Sequence, residues 1–291
     1  MKLYSISFKV EIGFEDIFEA IIENGFLDIL GYNVEYPAKE NYAIINIYNE
    51  TKEKLENNFN IIKDKLDINY NYEIKELDSE KYLTSYMDYL KPFKVGNITI
   101  VPNLRDYYKD LKEPVIYIAK QYAFGSGTHE TTYLALEMIN QYSLNNDIKL
   151  RSIADIGCGS GILSLFSYKL GARNITSVDI DSDAVHCSLD NAKYNDINLN
   201  NVILGNAKDL NNMNLKFDLV VANIETDILI EIMTDLKKLL KENNLKENSY
   251  LILSGILLEK ESSMNNVLRE KKLKIIDRKR KNDWVALMLS L

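Results

Sequence analysis

Proline and glycine are both scarce, at 4 and 12 in 291 residues, where average usage would put them at about 5% and about 7%. Collagen-like, linker-like and low-complexity classes are thereby excluded. Only 2 cysteines are present, at 158 and 187, so there is no disulfide framework and no four-cysteine zinc site. A reduced, cytoplasmic setting is expected. No apolar run approaches the ~18 residues of a membrane span. The opening Met1-Lys2-Leu3-Tyr4-Ser5 begins an alternating pattern and lacks the apolar core of a secretion signal. Excess positive charge is missing too: the formal net charge is −8, which argues against nonspecific nucleic-acid binding and suits a basic or cationic partner. What remains is a globular composition, 46% hydrophobic and 27% charged, with a length that suggests two domains.

The first part of the chain reads as a small α+β unit. Tyr4, Ile6, Phe8 and Val10 alternate with Ser5, Ser7 and Lys9, the pattern of a half-buried strand. Residues 15–24 follow as a helix with Ile17, Phe18, Ile21 and Ile22 on one face and Gly25 placed to end it. Strands are predicted near 29–36 and 42–48, joined by a Pro37–Asn41 turn. A second helix starts at Thr51, an N-cap residue, with Leu55, Phe59, Ile62 and Leu66 at helical spacing. Residues 70–77 supply a last strand. Strand–helix–strand–strand–helix–strand is the ferredoxin-like order. The expected division is a ferredoxin-like domain over 1–78, a helical linker over 79–95 carrying Tyr82, Tyr86 and Tyr89, and a second domain over 96–291.

Beyond residue 95 strands alternate with helices. Strands are predicted at 98–101, 115–118, 151–156, 174–179, 202–205, 217–222 and 249–255, and helices at 131–141, 161–170, 183–194, 226–241 and 259–270. That alternation predicts a doubly wound α/β domain with a mostly parallel sheet. The last two strands, Leu273–Arg278 and Trp284–Leu289, are expected to form an antiparallel hairpin at its edge.

The strongest local signal is the run from Ser152 to Leu163, where an apolar strand enters Asp155-Ile156-Gly157-Cys158-Gly159-Ser160-Gly161 and then a helix. Ligands of open α/β sheets bind at the carboxyl ends of the strands. A dinucleotide fingerprint is not met, because Ile162 fills the slot of its third glycine, and no Gly-Lys pair exists to make a phosphate-binding P-loop. An acid before the loop repels phosphate but suits an ammonium. Asp179, at the end of the next strand, can accept bonds from both ribose hydroxyls. A cationic nucleoside without phosphate, S-adenosylmethionine, fits this set. Five of the 12 glycines (125, 127, 157, 159 and 161) fall in two short segments, which marks them as the site.

The Asp155–Leu163 stretch resembles motif I of class I S-adenosylmethionine-dependent methyltransferases. More specifically, Ala123-Phe124-Gly125-Ser126-Gly127-Thr128-His129-Glu130-Thr131-Thr132 is similar to the A-F-G-T-G-T-H-P-T-T segment of ribosomal protein L11 methyltransferases. Val221-Ala222-Asn223-Ile224 and Leu253-Ser254-Gly255-Ile256-Leu257 match two further segments of that family, in order. The resemblance implies a Rossmann-like class I domain with an antiparallel C-terminal hairpin, preceded by a substrate-recognition domain. It implies S-adenosylmethionine contacts at Thr132, Gly157, Asp179 and Asn223, a pocket shaped by Asp155, Gly159 and Gly161, and a covering role for the segment of Phe124 and Gly127. Three departures stand out: Glu130 replaces a proline, the chain diverges from Thr226 onward, and Asn282-Asp283-Trp284 replaces Glu-Glu-Trp.

The implied reaction is methylation of lysine side-chain and N-terminal amines of ribosomal protein L11, which the N-terminal domain would hold. The expectation is a cytoplasmic monomer with no metal, no membrane and no direct nucleic-acid contact. Asn223 and His129 are the candidate catalytic residues. Asn223 reads either as an acceptor for the incoming amine or as a loop anchor, and His129 either as a proton relay or as a hydrogen-bonded lock. Cys158 reads as a small filler, and Arg278-Lys279-Arg280-Lys281 as a solvated hairpin end. The alternatives are another protein lysine or a small amine as substrate, or a non-catalytic paralogue that binds a ribosomal partner.

Overall fold

The computed structural model describes residues 3–12, 18, 27, 31–35, 41–49, 51–66, 72–77, 91–102, 108, 110–112, 114–119, 129–144, 152–199, 201–241 and 249–291. The expected helix over 15–24 (apart from Phe18, which is helical), most of the Pro37–Asn41 turn, the connecting helix after Ser79 and the segment 123–128 lie outside the described residues. The chain divides into two compact units, Met1–Tyr89 and Leu90–Leu291.

The first unit holds β1 (Leu3–Glu11), β2 (Gly31–Glu35), β3 (Tyr42–Asn49), α1 (Lys52–Leu66) and β4 (Glu73–Leu77). Its antiparallel sheet has the order β2-β3-β1-β4, the ferredoxin-like arrangement. Alternation in β1 buries Ile6, Phe8 and Val10, and the helical spacing of α1 buries Leu55, Phe59 and Ile62 against them. Phe8 meets Phe18 and Phe59 edge-on, with centroids 6.1 and 5.2 Å apart. Thr51 caps α1 by accepting the Lys54 N–H at 3.2 Å.

The second unit begins with β5 (Phe93–Val95), β6 (Ile98–Pro102) and β7 (Val115–Ile118), followed by α2 (Glu130–Leu144), β8 (Ser152–Ile156), α3 (Ile162–Lys169), β9 (Asn174–Asp179) and α4 (Ser182–Tyr194). Next come β10 (Asn201–Leu204), α5 (Ala207–Asn212), β11 (Leu219–Asn223), α6 (Thr226–Lys238), β12 (Tyr250–Leu257), α7 (Glu261–Glu270), β13 (Lys274–Lys281) and β14 (Trp284–Ser290). Seven strands form the main sheet in the order β10-β9-β8-β11-β12-β14-β13. Alternation within the apolar runs splits them between two cores. Ile153, Leu219, Val221, Ile252, Ala286 and Met288 face α2 and α3, while Ala154, Val220, Ala222, Leu251, Leu253 and Leu287 face α6 and α7. A continuous apolar strand is therefore a strand covered on both faces.

Two features depart from the sequence reading. β5 lies within the stretch expected as a linker, and β6 and β7 join it in a separate sheet of order β5-β6-β7 rather than the main one. The cause is in α4 and its C-cap, where Asn191 and Asn195 take the place of a neighbouring strand. Tyr117 N–H donates to Asn195 Oδ1 (2.7 Å), Asn195 Nδ2 donates to the Tyr117 carbonyl (2.6 Å), and Ala119 N–H donates to Asn191 Oδ1 (2.9 Å). The outer backbone of β7 is thus satisfied by side chains. The expected antiparallel hairpin is present at the edge of the main sheet: β14 is antiparallel to both β12 and β13 and lies between them, leaving β13 outermost. Apolar Trp-Val-Ala-Leu-Met-Leu suits the interior position, while Lys-Ile-Ile-Asp-Arg-Lys-Arg-Lys blunts the edge. Finally, α5 was not foreseen; Asn206 opens it in a capping box with Asp209.

Asp218 stitches together the amino ends of β8, β11 and β12. Its backbone bonds Ser152 and Tyr250, its Oδ2 accepts from Ser152 N–H at 2.9 Å and Ser152 Oγ at 2.6 Å, and Lys241 Nζ lies 2.8 Å from each carboxylate oxygen. Burial alone would raise the Asp218 pKa, but the bonds from Lys241 and Ser152 outweigh it and hold the carboxyl below its ordinary value. A depressed folded pKa contributes stability above the unfolded value and loses it as pH falls through the folded one. Asp218→Asn is expected to destabilise the protein by about 1–3 kcal/mol at neutral pH. In denaturant titrations that gap should close as pH falls below about 4.

Candidate active site

The site forms where the carboxyl ends of β8, β9 and β11 meet. Gly157 and Cys158 N–H groups both donate to the Val178 carbonyl, at 2.8 and 3.1 Å, so the chain turns sharply as it leaves β8. Gly157, Gly159 and Gly161 all have positive φ, at 70°, 51° and 75°. At Gly157 a Cβ would stand 2.5 Å from Ile224 Cγ2, so glycine is required there by space as well as by conformation. The back of the loop is held by α4. Ser188 Oγ donates to the Gly159 carbonyl at 2.9 Å, and Asn191 Nδ2 donates to the Ser160 carbonyl at 2.8 Å.

Two carboxylates flank this loop in different surroundings. Asp179 Oδ2 accepts the Gly159 N–H at 2.9 Å and its Oδ1 accepts the Asp181 N–H at 3.1 Å, which fixes the group while each oxygen keeps a lone pair for a hydroxyl. Asp155 is 1% exposed. Its Oδ2 accepts from Ser164 Oγ at 2.7 Å, and Ser164 in turn lies 2.8 Å from Ser177 Oγ. Burial pushes the Asp155 pKa up to about 6, with Asp179 adding to the rise and Ser164 opposing it. Asp155 Oδ1 has no hydrogen-bond partner among the described residues. Burial likewise pushes the Cys158 thiol up, which makes it an inert filler beside Ser188.

Asn223 ends β11 beside the loop, and its Nδ2 donates to Thr132 Oγ1 at 3.2 Å. Asn223 Oδ1 is buried and has no partner among the described residues. The following residue, Ile224, is wedged between two glycines: a Cβ at Gly255 would lie 2.3 Å from its carbonyl oxygen. Gly255 sits in a register shift of β12, and Thr226 Oγ1 spans it, donating to the Gly255 carbonyl (3.1 Å) and accepting the Leu257 N–H (2.9 Å). Thr226, where the family resemblance weakens, thus fastens the Asn223 loop to β12.

His129 precedes α2 and caps it. Its Nδ1 lies 3.3 Å from the Thr131 N–H that donates to it and 2.8 Å from Thr131 Oγ1. Its ring meets Trp284 edge-on, with centroids 5.4 Å apart. These contacts suit a lock. Ser254 Oγ donates to the Thr131 carbonyl at 2.7 Å, and Asn282 Nδ2 bonds Glu130, so two departures from the family pattern are partners. The basic hairpin is engaged within its own unit: Arg278 forks onto Glu261 at 2.5 and 2.7 Å, Lys279 lies 3.7 Å from Glu137, and Lys281 stands 4.2 Å from the Tyr133 ring centre.

Asp155, Gly157, Gly159, Gly161 and Asp179 therefore share one loop system, and Thr132 and Asn223 share one hydrogen bond. Phe124 and Gly127 lie outside the described residues. Ser188, Asn191, Ser254, Ile224 and Thr226 were missed as parts of the site. The available signal was polar Ser188 and Asn191 on the otherwise small, apolar buried face of α4. Among the described residues no group of three or more His, Cys, Asp and Glu could hold a metal ion, and no helix is long and apolar enough to cross a membrane. The two orphaned oxygens are both acceptors in a loop fit for close backbone approach. That donor-seeking surface fits a cationic nucleoside and is wrong for a phosphate.

Two outcomes test this geometry. A buried carboxyl with a raised pKa costs stability once it ionises, so its penalty grows above its unfolded value and is complete above about pH 6. Ligand-free Asp155→Asn is expected to melt above wild type at pH 7–8 and with it near pH 4, by calorimetry. Gly157→Ala must displace Ile224 and is expected to lower stability by about 1–3 kcal/mol.

The sequence profile of the family described as ribosomal protein L11 methyltransferase (PrmA) matches residues 17–291. A ribosomal protein L11 methyltransferase of Campylobacter concisus is 31% identical over 285 residues, covering 98% of this chain and 96% of that protein. Its counterpart in Fusobacterium nucleatum is 35% identical over 250 residues, 84% of this chain and 77% of that one. In Caldicellulosiruptor saccharolyticus the identity is 34% over 216 residues, and the match spans 73% of this chain but 66% of that protein. The crystal structure of a ribosomal protein L11 methylase from Lactobacillus delbrueckii subsp. bulgaricus shares the Rossmann-like class I methyltransferase fold with a TM-score of 0.58 and 28% identity, covering 68% of this chain and 97% of that one. With the profile matched from residue 17 to the last, the chain belongs to the ribosomal protein L11 methyltransferase family.

Proposed function

We propose that this chain transfers methyl groups from S-adenosylmethionine to lysine side-chain and N-terminal amines of ribosomal protein L11, as a cytoplasmic monomer. The observation that carries this reading is the pair of buried acceptors without a partner among the described residues, Asp155 Oδ1 and Asn223 Oδ1, beside the Gly157–Gly161 loop of a family member. Asp179 holds the ribose hydroxyls, Asp155 faces the ammonium, and Gly157, Gly159 and Gly161 admit the ligand close to backbone. Thr132, Phe124 and Gly127 belong to the segment that the family resemblance puts over the ligand. When bound, S-adenosylmethionine supplies a methyl group already activated by its sulfonium.

The protein's own task is to align an amine and exclude water. The amine must be neutral, although a free lysine has a pKa near 10.4, and desolvation at the strand ends lowers that value. Asn223 Oδ1 accepts one N–H of the amine and leaves its lone pair free to attack. His129 locks α2 in place. The ferredoxin-like unit within 1–78 holds the protein substrate, and the net charge of −8 suits a basic one.

Incubation with methyl-labelled cofactor and purified L11 is expected to label L11. Cofactor binding without label on L11 would overturn the substrate assignment, and no binding by calorimetry would overturn the enzymatic reading. Asp179→Ala is expected to weaken cofactor binding by roughly tenfold or more.

A further inference from the structure

The formal net charge of −8 belongs to the chain as a whole, whereas salt limits the reach of any one charge to about 8 Å at physiological ionic strength. A partner therefore reads local charge. Met1–Tyr89 holds 9 lysines, no arginine and 18 acids, a net of −9, while Leu90–Leu291 holds 26 basic residues against 25 acids. Within that second unit the charge is again uneven. From Arg269 to Lys281 eight basic residues stand against two acids, Glu270 and Asp277. With Glu261 and Glu137, which pair with this stretch from α7 and α2, the balance is still eight to four.

The stretch ends α7 and forms β13, the outermost strand of the main sheet. Arg278, Lys279 and Lys281 are engaged by Glu261, Glu137 and the Tyr133 ring. Lys272 and Lys274 are exposed and meet no carboxylate among the described residues. Arg280 is exposed too, and its Nε donates to the Asn282 carbonyl at 2.8 Å. Lys237 brings a further ammonium from α6, donating to the Lys271 carbonyl at 2.6 Å. Between Lys274 and Arg278, Ile275 and Ile276 are 45% and 53% exposed. Ile276 is the extra residue of a bulge, since Ile275 opposes Leu289 and Asp277 opposes Met288.

We infer that the β13 edge is a docking surface for single-stranded RNA. An acidic polypeptide adding as a further strand would need a continuous ladder, which the bulge and the long basic side chains deny it. A phosphate backbone needs the side chains alone. The cations also stand on both sides of the strand: Arg278 turns to Glu261 of α7, while Lys279 and Lys281 turn to Glu137 and Tyr133 of α2. That makes a ridge. A flat anionic membrane touches only the crest of a ridge, and stiff duplex DNA does not fold over one. A flexible single strand lays phosphates on both slopes, and Ile275 and Ile276 give its unstacked bases an apolar rest. This inference stands apart from the methyl-transfer reading.

The probe is a fluorescein-labelled oligouridine of about 20 nucleotides, titrated by anisotropy between about 50 and about 200 mM salt. The triple variant Lys272→Gln, Lys274→Gln and Arg280→Gln is expected to lose roughly tenfold or more in affinity at low salt. Its slope of log K against log salt should flatten by about 2, the share of three phosphates on a single strand. Removing three exposed lysines of α1 instead (Lys52→Gln, Lys54→Gln and Lys63→Gln) is expected to change affinity by less than about twofold. The same RNA carrying thiouridine is expected to photo-crosslink to wild type within residues 269–281, a readout that stands even if the triple variant folds poorly. The inference is overturned if wild type does not bind the RNA at low salt, if the β13 variant binds as wild type does, if the α1 variant loses as much, or if the crosslinks fall elsewhere. It is equally overturned if polyglutamate, anionic phospholipid vesicles or duplex DNA of the same length binds more tightly than the RNA.

Discussion

Ile224 occupies space that two other residues would need if they carried side chains. A Cβ at Gly157 would stand 2.5 Å from its Cγ2, and one at Gly255 would stand 2.3 Å from its carbonyl oxygen. That exclusion joins three strand ends that are far apart in sequence: the loop after β8, the loop after β11 and the irregular stretch of β12. Asn223 precedes Ile224, so its place beside the glycine loop follows from the same wedge. Thr226 closes the arrangement by bonding both sides of the β12 irregularity. Dense packing of this kind leaves little room for adjustment, and small changes at any of the three loops reach the other two.

Electrostatically the site is one-sided. Asp155, Asp179 and Asn223 offer oxygens, while the backbone N–H groups around them are already engaged: Gly157 and Cys158 on Val178, and Gly159 on Asp179. A phosphate would find no free donors among these groups and a nearby carboxylate that repels it. The opposite end of the same sheet is built for stability, with Asp218 gathering Ser152, Lys241 and the starts of β8, β11 and β12. Holding and binding are thus divided between the amino and carboxyl ends of the strands. At the binding end Asp155 Oδ1 and Asn223 Oδ1 have no hydrogen-bond partner among the described residues.

Much of this was legible in the sequence because its periodicities are local. Alternation at Ile6, Phe8 and Val10, the spacing of Leu55, Phe59 and Ile62, and the glycine run after Ile156 each state a conformation without reference to distant residues. The fully apolar strands β8 and β11 were legible as strands but silent about their neighbours. Strand order at the edge escaped for that reason. Only the contrast between apolar β14 and charged β13 indicates which of them belongs inside. The asparagines that complete β7 were invisible, since Asn191 and Asn195 look like ordinary polar helix residues until their partners, more than seventy residues earlier, are known.

The sequence by itself determined the two fold classes, the glycine loop and the acids on either side of it, because backbone conformation and hydrophobic periodicity are written in neighbouring residues. Tertiary structure alone decided that Asn223 meets Thr132, why Gly255 is a glycine, and that Glu130 and Asn282 are partners. Each of those facts is a contact between segments distant in the chain. A hydrogen bond or a steric exclusion has no signature in either segment until folding brings the two together.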